Sequence, residues 1–312
     1  MAIDFKSEHT AWRNLTRVEK RHHVQQADAI REALRGIPEV ADYAETVQIS
    51  LPTATTDAQV RAYRSMGVMQ QHGDDNGGFV MAMFQHLNRY DTRFNTLNSG
   101  EDLARLMFVG TYVSYREGRL EHDNGKPIQR RGLAEMLNVS RPSFTTFFGK
   151  LRDEGIIRID EIGDIYVNPT VFYRGKVEDS PYYLGDYEHI RMYRKTIRDL
   201  YVQYNGRKLK QLALIYEVLP YINFATNLVC ENPTERVTDR LIPMELGSLA
   251  EKLGRDSKRL KPALHAVKLD DKPVFMLAVN PHDTRSYRII INPRVIFGGN
   301  AEQLQATKAY FN

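Results

Sequence analysis

The sequence lacks the features that mark exported, membrane-spanning and disulfide-stabilised proteins. Its 312 residues include one cysteine, Cys230, so neither an internal disulfide nor a cysteine-based zinc site can form. It has no run of 18 apolar residues, the length that predicts a transmembrane helix. The first residues, MAIDFKSEHTAW, have no apolar centre of the kind a secretory signal needs. We therefore expect a cytoplasmic protein with no membrane partner.

The chain also lacks a large excess of charge of either sign. Lysine and arginine number 43 and aspartate and glutamate 39, which gives a formal net charge of +4. This mild surplus is compatible with nucleic-acid binding and is weak evidence for it. The composition, 42% hydrophobic and 26% charged, is that of ordinary globular proteins and excludes disorder throughout. At about 150 residues per domain, the length predicts about two domains.

Three blocks of sequence occur twice, in the same order, and this repetition organises the rest of the chain. The first pair is LARLMFVGTYVSY at 103–115 and LKQLALIYEVLPY at 209–221. The second is LAEMLN at 133–138 and LAEKLG at 249–254. The third is VNPTVFYRG at 167–175 and INPRVIFGG at 291–299. The offset grows from 106 to 116 to 124 residues, so the second copy contains insertions. We place one insertion in Val229 to Pro243 and the other in the terminal hairpin.

The repeat predicts four segments along the chain. They are a helical N-terminal segment with its linker, a first copy, a second copy and a C-terminal tail, at 1–78, 79–178, 179–300 and 301–312. In the first segment, the pattern from Trp12 to Leu34 predicts one helix. The run Gly73 to Gly78, rich in Gly, Asp and Asn, predicts an exposed linker.

The first copy predicts a helix, a short helix, a tight turn, a longer helix and a β hairpin. Their bounds are 100–115, 129–137, 138–140, 141–154 and 156–167, with Asn98 or Ser99 capping the first helix, Ser140 capping the third, and Phe144, Phe147, Phe148 and Leu151 on the core face. This is the order of a winged helix-turn-helix. The second copy predicts helices at 244–253 and 257–268 and strands at 274–279 and 287–291. The predicted fold class is α+β, mainly α with small hairpins, as tandem winged helices.

The segment LAEMLNVSRPSFTTFFGKLRDEGII, followed by the Asn-Pro block, resembles the winged-helix replication initiators of small bacterial plasmids. Related helix-turn-helix proteins occur in phages and other mobile elements. The resemblance covers residues 79–175 well and 185–299 weakly. It implies binding to double-stranded DNA at a cognate site. The tandem arrangement and the N-terminal segment depart from the short single-domain pattern, so the process served is open.

In a helix-turn-helix, the second helix presents its outer face to the major groove. In the first copy we predict DNA contacts from Arg130, Arg131, Ser140, Arg141, Ser143, Thr145, Thr146 and Lys150. In the second copy we predict them from Arg255, Ser257, Lys258, Arg259, Lys261, His265 and Lys268. Arg141 can form a bidentate contact to guanine. The alternative for each face is an ordinary solvated helix surface. The turn of the second copy has Arg255 where the first has Val139, so its corner lacks an aliphatic side chain.

A third basic stretch precedes the repeated block of the second copy. Its candidates for contacts to the DNA backbone are Arg191, Arg194, Lys195 and Arg198, interleaved with tyrosines. The alternative is a helix that packs Tyr193, Ile197 and Leu200 into the core. The sequence leaves both interpretations open.

Enzyme motifs are absent from the sequence. Gly125-Lys126 is followed by proline and has no phosphate-loop spacing, and the adjacent His22 and His23 point to different helix faces. The pair His282 and Arg285, with Tyr310 downstream, lacks the upstream arginine segment of a tyrosine recombinase. We expect no catalytic residue, metal, cofactor or small-molecule ligand. The expected function is site-specific DNA binding in replication initiation or control of a mobile element. A transcriptional regulator is the alternative and a winged-helix assembly protein the third, and self-association stays open.

Overall fold

The computed structural model describes residues 5–38, 40–47, 57–85, 94–97, 99–206, 208–280 and 283–311. The chain divides into two compact units, residues 1–64 and 65–312. Helices combine with small antiparallel sheets, which confirms the predicted α+β class. Within the described ranges, no helix has both the length and the apolar character that a bilayer crossing requires.

Eleven α-helices and ten strands are assigned in the described residues. The helices are α1 Phe5–Asn14, α2 Arg17–Arg35, α3 Asp57–Asp75, α4 Gly100–Gly110, α5 Arg130–Leu137, α6 Arg141–Asp153, α7 Arg194–Tyr204, α8 Ala213–Glu217, α9 Leu246–Lys252, α10 Ser257–Ala266 and α11 Ala301–Lys308. The strands are β1 Phe79–Gln85, β2 Ile157–Ile159, β3 Ile165–Val167, β4 Phe172–Tyr173, β5 Tyr187–Tyr193, β6 Lys268–Leu269, β7 Lys272–Pro273, β8 Phe275–Asn280, β9 Asp283–Ile291 and β10 Ile296–Phe297.

The N-terminal unit contains two helices where the sequence predicted one. The single helix expected from Trp12 to Leu34 is wrong, because the chain breaks between α1 and α2 at Thr16. The Thr16 side chain accepts a hydrogen bond from the Glu19 backbone N–H, and the Glu19 carboxylate accepts one from the Thr16 N–H. This reciprocal capping box satisfies free donors at the start of α2 and stabilises a new helix there.

The predicted linker at 73–78 is wrong. Helix α3 continues to Asp75, Asn76 is buried, and only Gly77 and Gly78 form the turn into β1. The Asn76 side-chain amide donates to the carbonyl of His72, and the hydroxyl of Thr196 donates to the Asn76 side-chain oxygen. The run therefore ends a helix and turns into the sheet, with Asn76 buried and Asp74, Asp75 and Gly77 exposed.

A four-stranded antiparallel sheet, in the order β10-β5-β1-β4, joins the two predicted copies. Strand β1 pairs with β5 along its whole length, from Phe79 opposite Tyr193 to Gln85 opposite Tyr187. Each of these strands also pairs with the short strand at the end of its own copy, β1 with β4 and β5 with β10. Both copies consequently lie in the unit 65–312, which differs from the predicted boundary at 178/179, because backbone pairing and not a linker connects them.

The first copy has the predicted order of elements. Ser99 caps α4 by accepting from the Asp102 N–H, and Ser140 caps α6 by accepting from the Ser143 N–H. Asn138, in the turn between α5 and α6, has left-handed backbone angles (φ 50°, ψ 51°). The core face of α6 is buried as predicted, with Phe144, Phe147, Phe148 and Leu151 inside.

The second copy repeats this order with local differences. Gly254 holds the left-handed turn position (φ 60°) that Asn138 holds in the first copy, and Asp256 caps α10 where Ser140 caps α6. The hairpin β8–β9 is longer than β2–β3, and the small hairpin β6–β7 is added before it. Five residues separate the bridged pair Glu121 and Pro127 of the first copy, and twelve separate the equivalent pair Cys230 and Pro243 of the second. The additional residues of the second copy therefore lie within Val229 to Pro243, where the sequence predicts an insertion.

The two Asn-Pro blocks make the same hydrogen bonds. The Asn168 backbone N–H donates to the carbonyl of Ile156, and that of Asn292 donates to the carbonyl of Val274, both at 2.8 Å. Each side-chain amide donates to the residue before that carbonyl, Gly155 or Pro273, and each side-chain oxygen accepts from the backbone N–H two residues ahead. Strands β3 and β9 end immediately before these asparagines. The blocks close the hairpins, as the proline and asparagine chemistry predicts.

Candidate nucleic-acid interface

Burial of one face of α6 fixes which of its side chains reach solvent. The four apolar residues at 144, 147, 148 and 151 lie inside, so Arg141, Ser143, Thr145 and Thr146 are exposed. The Ser140 and Ser143 hydroxyl groups lie 2.9 Å apart at the helix start and share a hydrogen bond. Helix α6 thus presents one arginine and short hydroxyl side chains, groups suited to mixed base and phosphate contacts.

The predicted cations of the first copy differ in how free they are. Arg141 is exposed, and no described residue forms an ion pair with it. The Arg130 guanidinium lies 5.1 Å from the centre of the Phe148 ring. Arg131 pairs with Glu135 at 3.0 Å on the surface, whereas Lys150 is half-buried and pairs with Asp102 at 2.7 Å. Lys150 is therefore held by a carboxylate within the domain, and Arg141 is the freest cation of this surface.

The outer face of α10 is more cationic than that of α6. The Asp256 carboxylate accepts from the backbone N–H groups of Lys258 and Arg259, so the acidic residue of this region is the helix cap. The apolar face is buried through Leu260 and Leu264. The exposed predicted residues, with no ion-pair partner among the described side chains, are Ser257, Lys258, Arg259, His265 and Lys268. Asp256 thus stabilises the helix, because a negative charge at a helix N-terminus is favourable.

Two residues of the second copy that were predicted to contact DNA have bonding partners within the protein. The Arg255 guanidinium donates to both carboxylate oxygens of Glu217, at 2.7 and 2.9 Å. Lys261 is half-buried, and its ammonium group donates to the Tyr287 hydroxyl at 2.8 Å and lies 4.1 Å from the ring centre. Arg255 therefore bridges the turn to α8. Its role in the second copy is a surface ion pair in place of the aliphatic contact that Val139 makes in the first.

The third basic stretch forms a helix that packs into the core, which is the alternative that the sequence left open. Tyr193, Ile197 and Leu200 are buried, and Arg194 is buried beside them. The Asp123 carboxylate accepts from Arg194 and from Arg198, both at 2.6 Å. These two arginines are therefore internal counter-charges, and the prediction that they contact the DNA backbone is corrected.

The C-terminal end of α4 completes this arginine network. The Thr111 carbonyl accepts from Arg194 Nε at 2.6 Å and from Arg198 Nη2 at 2.8 Å. Hydrogen bonds from Arg198 hold the pKa of Asp123 below its ordinary value, followed by its Coulombic attraction. Burial, with repulsion from Arg174 and Arg198, lowers the pKa of Arg194. Cations at a helix C-terminus are favourable, so the network stabilises the junction between the copies.

The other two residues of the stretch have different positions. Arg191 is half-buried in β5, donates to the carbonyl of Gly299 and lies 5.6 Å from the centre of the Phe79 ring. Lys195 is exposed and pairs with Asp199 at 3.0 Å, one turn further along α7. Of the four predicted backbone contacts, Lys195 alone has a fully exposed cationic group.

Two exposed arginines beside the candidate surfaces were missed by the sequence reasoning. Arg152 lies eleven residues after Arg141 in α6, which is three helical turns, and so shares its face. Arg158 is exposed on β2 with its guanidinium 4.0 Å from the centre of the Tyr166 ring. The signals that could have found them are the helical period for Arg152 and strand alternation in Ile157–Ile159 for Arg158.

Comparisons of the chain with protein-family models, with curated proteins and with solved structures found no match. The candidate interface has two outward-facing helices, α6 and α10, which follow equivalent turns. Each is capped at its start and buried on its opposite side.

Proposed function

We propose that this chain is a cytosolic, non-enzymatic protein that binds a specific site on double-stranded DNA through two tandem winged-helix modules. The modules comprise residues 100–173 and 209–297. The observation that carries the proposal is the equivalence of α6 and α10. Each follows a short helix and a left-handed turn residue, buries one face, and exposes cations that no described carboxylate pairs with.

The hairpins after these helices support the winged-helix interpretation. In each module, the segment after the first helix bonds to the second strand of the hairpin: the Leu120 N–H donates to the Ile165 carbonyl, and the Val229 N–H donates to the Ile289 carbonyl, both at 2.8 Å. A three-helix core with such a hairpin places its third helix at the surface, where it can enter a major groove. Arg158, on the first hairpin, can reach an adjacent phosphate.

The unequal charge of the two helices supports a division between them. Helix α6 offers Arg141 with short hydroxyl groups, which suits the reading of base edges. Helix α10 offers Lys258 and Arg259, with Lys268 beyond its end, which suits phosphate contacts and salt-dependent affinity. We propose that the first module contributes more of the specificity and the second more of the electrostatic affinity.

Among biological processes, we favour initiation or control of replication in a plasmid or phage, from the sequence resemblance to plasmid initiators. A transcriptional regulator is the second candidate, because the same module serves promoters. Testing whether a small replicon that carries the bound site depends on this protein separates the two. Loss of replication without the protein supports an initiator, and altered expression from an adjacent promoter alone supports a regulator.

The experiment that tests DNA binding is selection of bound duplexes from a random library, followed by footprinting and salt titration. We expect one site with two protected major-groove segments, about one helical turn or a multiple of it apart. Binding should weaken steeply with salt, with a log-log slope of roughly −0.9 per neutralised phosphate. The control is the same chain with Lys258 and Arg259 replaced by glutamine. Failure to enrich any duplex, or affinity independent of salt, would favour the protein-interaction alternative.

A further inference from the structure

A cavity of about 460 Å³ lies against the central sheet, and Arg191 is the one residue of its lining that the sequence predicted to contact DNA. Its walls come from the end of α3, from β1 and β5, and from the segment that follows β4. All of these belong to the unit 65–312. The volume is within the range of about 300–1,000 Å³ that small-molecule sites occupy.

Basic side chains converge on this cavity. Arg174, Lys176, His189 and Arg191 line it together. In the described part of the chain, the side chains of Arg174, Lys176 and His189 have neither a hydrogen-bond nor an ion-pair partner. Arg191 uses one of its N–H groups on the carbonyl of Gly299, which leaves further donors free. Several donors thus face one space without being bonded to a described acceptor.

The electrostatic environment favours a bound anion. Arg174 is half-buried, and burial is the main cause that lowers its pKa; the Asp123 carboxylate opposes this shift from a distance, and Arg198 adds to it. Burial also lowers the pKa of His189, and the neighbouring Arg191 lowers it further. Cations that are taken out of water without a paired carboxylate are costly, and a bound anion offsets that cost.

The remaining walls are of two other kinds. Asp74 and Glu178 line the cavity and can accept hydrogen bonds, so its net charge is only mildly positive. Met69, Met81 and Tyr115 give it apolar and aromatic surface. A ligand that matches all three kinds of wall carries an anionic group, hydrogen-bond donors and a flat apolar part.

We propose that this cavity binds a nucleoside phosphate. The phosphate lies against Arg174 and Lys176, because guanidinium and ammonium groups form charge-assisted hydrogen bonds with phosphate oxygens. The sugar hydroxyls and base N–H groups donate to Asp74 or Glu178, and the base packs against the methionine and tyrosine side chains. The volume suits one nucleotide and is too small for a duplex. The proposal does not depend on the DNA-binding function.

Both copies contribute to the walls of the cavity, so a bound ligand can affect how the copies are held together. Met81 and Arg191, which both line it, are opposite each other where β1 of the first copy pairs with β5 of the second. A bound nucleotide contacts both copies and stabilises their junction.

The test is calorimetric titration of the full chain, without DNA, using AMP, GMP, CMP and UMP as probes. Adenosine and inorganic phosphate serve as part-ligands. We expect saturable binding of at least one nucleotide, and binding at least about 10-fold weaker for the matching nucleoside and for phosphate. Arg174→Gln and Lys176→Gln should each weaken nucleotide binding by about 10-fold. Arg236→Gln, which removes an exposed arginine of the inserted loop, should bind as the wild type.

Because Lys176 is exposed, its replacement leaves the fold intact even if Arg174→Gln destabilises the protein. No binding by any of the four nucleotides up to about 1 mM would overturn the proposal. So would equal affinity of wild type and Lys176→Gln. Inorganic phosphate that binds as tightly as the nucleotides would identify an unspecific anion site and also overturn it. Competition by duplex DNA, with a smaller salt slope for Lys176→Gln, would assign the cations to DNA instead.

Discussion

Met81 and Arg191 lie opposite each other in the antiparallel pair β1–β5, and the sheet repeats its pairing about this point. Met81 also pairs with Tyr173 at the end of the first copy, and Arg191 also pairs with Phe297 at the end of the second. Tyr173 and Phe297 occupy the same position in the two Asn-Pro blocks. The register of the sheet therefore relates the two copies by a local two-fold axis near Met81 and Arg191.

This relationship bears on the proposed binding of DNA by two modules. Helix α4 of the first copy packs against the corresponding segment of the second, where a Cβ at Gly100 would lie 3.0 Å from the Ala213 side chain. The Asp123 network with Arg194 and Arg198 adds ion pairs at the same junction. A rigid junction gives the two modules a fixed spacing, and rigidly linked modules bind with a joint affinity about 10²–10⁴ above either alone.

Arg141→Ala is expected to weaken binding to the selected duplex by about 1–3 kcal/mol, the range for a good bidentate base contact. Specificity should relax at one base pair, and the fold should survive because the side chain is exposed. Fluorescence anisotropy with the selected site and its single-base variants measures both effects. Arg236→Ala is the control. If Arg141→Ala binds as tightly as the wild type, Arg141 is not a base contact.

Replacing Lys258 and Arg259 by glutamine should reduce the salt slope of duplex binding by roughly one unit for each lost phosphate contact. Arg255→Gln should change the slope little, because Arg255 is paired with Glu217. Binding constants measured at several salt concentrations test the difference. An unchanged slope in the double variant, or an equal loss in Arg255→Gln, would exclude α10 as the phosphate-binding surface.

Asn292→Ala should destabilise the protein more than Asn168→Ala. Asn292 is buried, and its loss leaves the Pro273 carbonyl and the Arg294 N–H without their partner, at a cost of about 1–3 kcal/mol. Asn168 makes the equivalent bonds in a more exposed position, so about 0.5–1.5 kcal/mol is expected. Urea unfolding midpoints compare the two. Full stability together with complete loss of DNA binding would show a direct role in recognition instead of hairpin closure.

His72 should make the stability of the unit 65–312 depend on pH. Its Nε2 lies 2.8 Å from the Pro293 carbonyl and donates to it, and the Asn76 side-chain amide lies 3.3 Å from its Nδ1. Burial lowers the pKa of His72 in the folded protein, whereas the unfolded chain has a histidine pKa of about 6.5. The unfolded state therefore takes up the proton first as the pH falls.

The stabilising contribution of His72 is accordingly complete above about pH 6.5 and is lost as the pH falls through the folded pKa. The measurement is urea unfolding between pH 8 and pH 5, for the wild type and His72→Gln. Glutamine can retain a hydrogen bond to Pro293 but does not titrate, so the advantage of the wild type should shrink towards pH 5. Every other histidine, including His189, is present in both proteins, so its contribution cancels in the comparison. A constant difference across this range would contradict the prediction.

The local features of the copies were determined by the sequence itself. Hydrophobic spacing identified the buried face of α6, and the capping chemistry of Ser140 identified its start. The recurrence of Asn168 and Asn292 identified matched hairpin closures, because each side-chain oxygen bonds to the backbone N–H two residues ahead. These are interactions between residues close in the chain, and short-range chemistry decides them.

Long-range contacts decided the rest. The pairing of β1 with β5, the burial of Asn76 and the capture of Arg194 and Arg198 by Asp123 join residues more than 70 positions apart. A basic stretch has the same composition whether it faces solvent or a carboxylate, so the sequence left both outcomes open for α7. Only the folded chain brings Asp123 to these arginines and Glu217 to Arg255. Only there does it become apparent that Lys258 and Arg259 lack described carboxylate partners while the neighbouring cations are engaged.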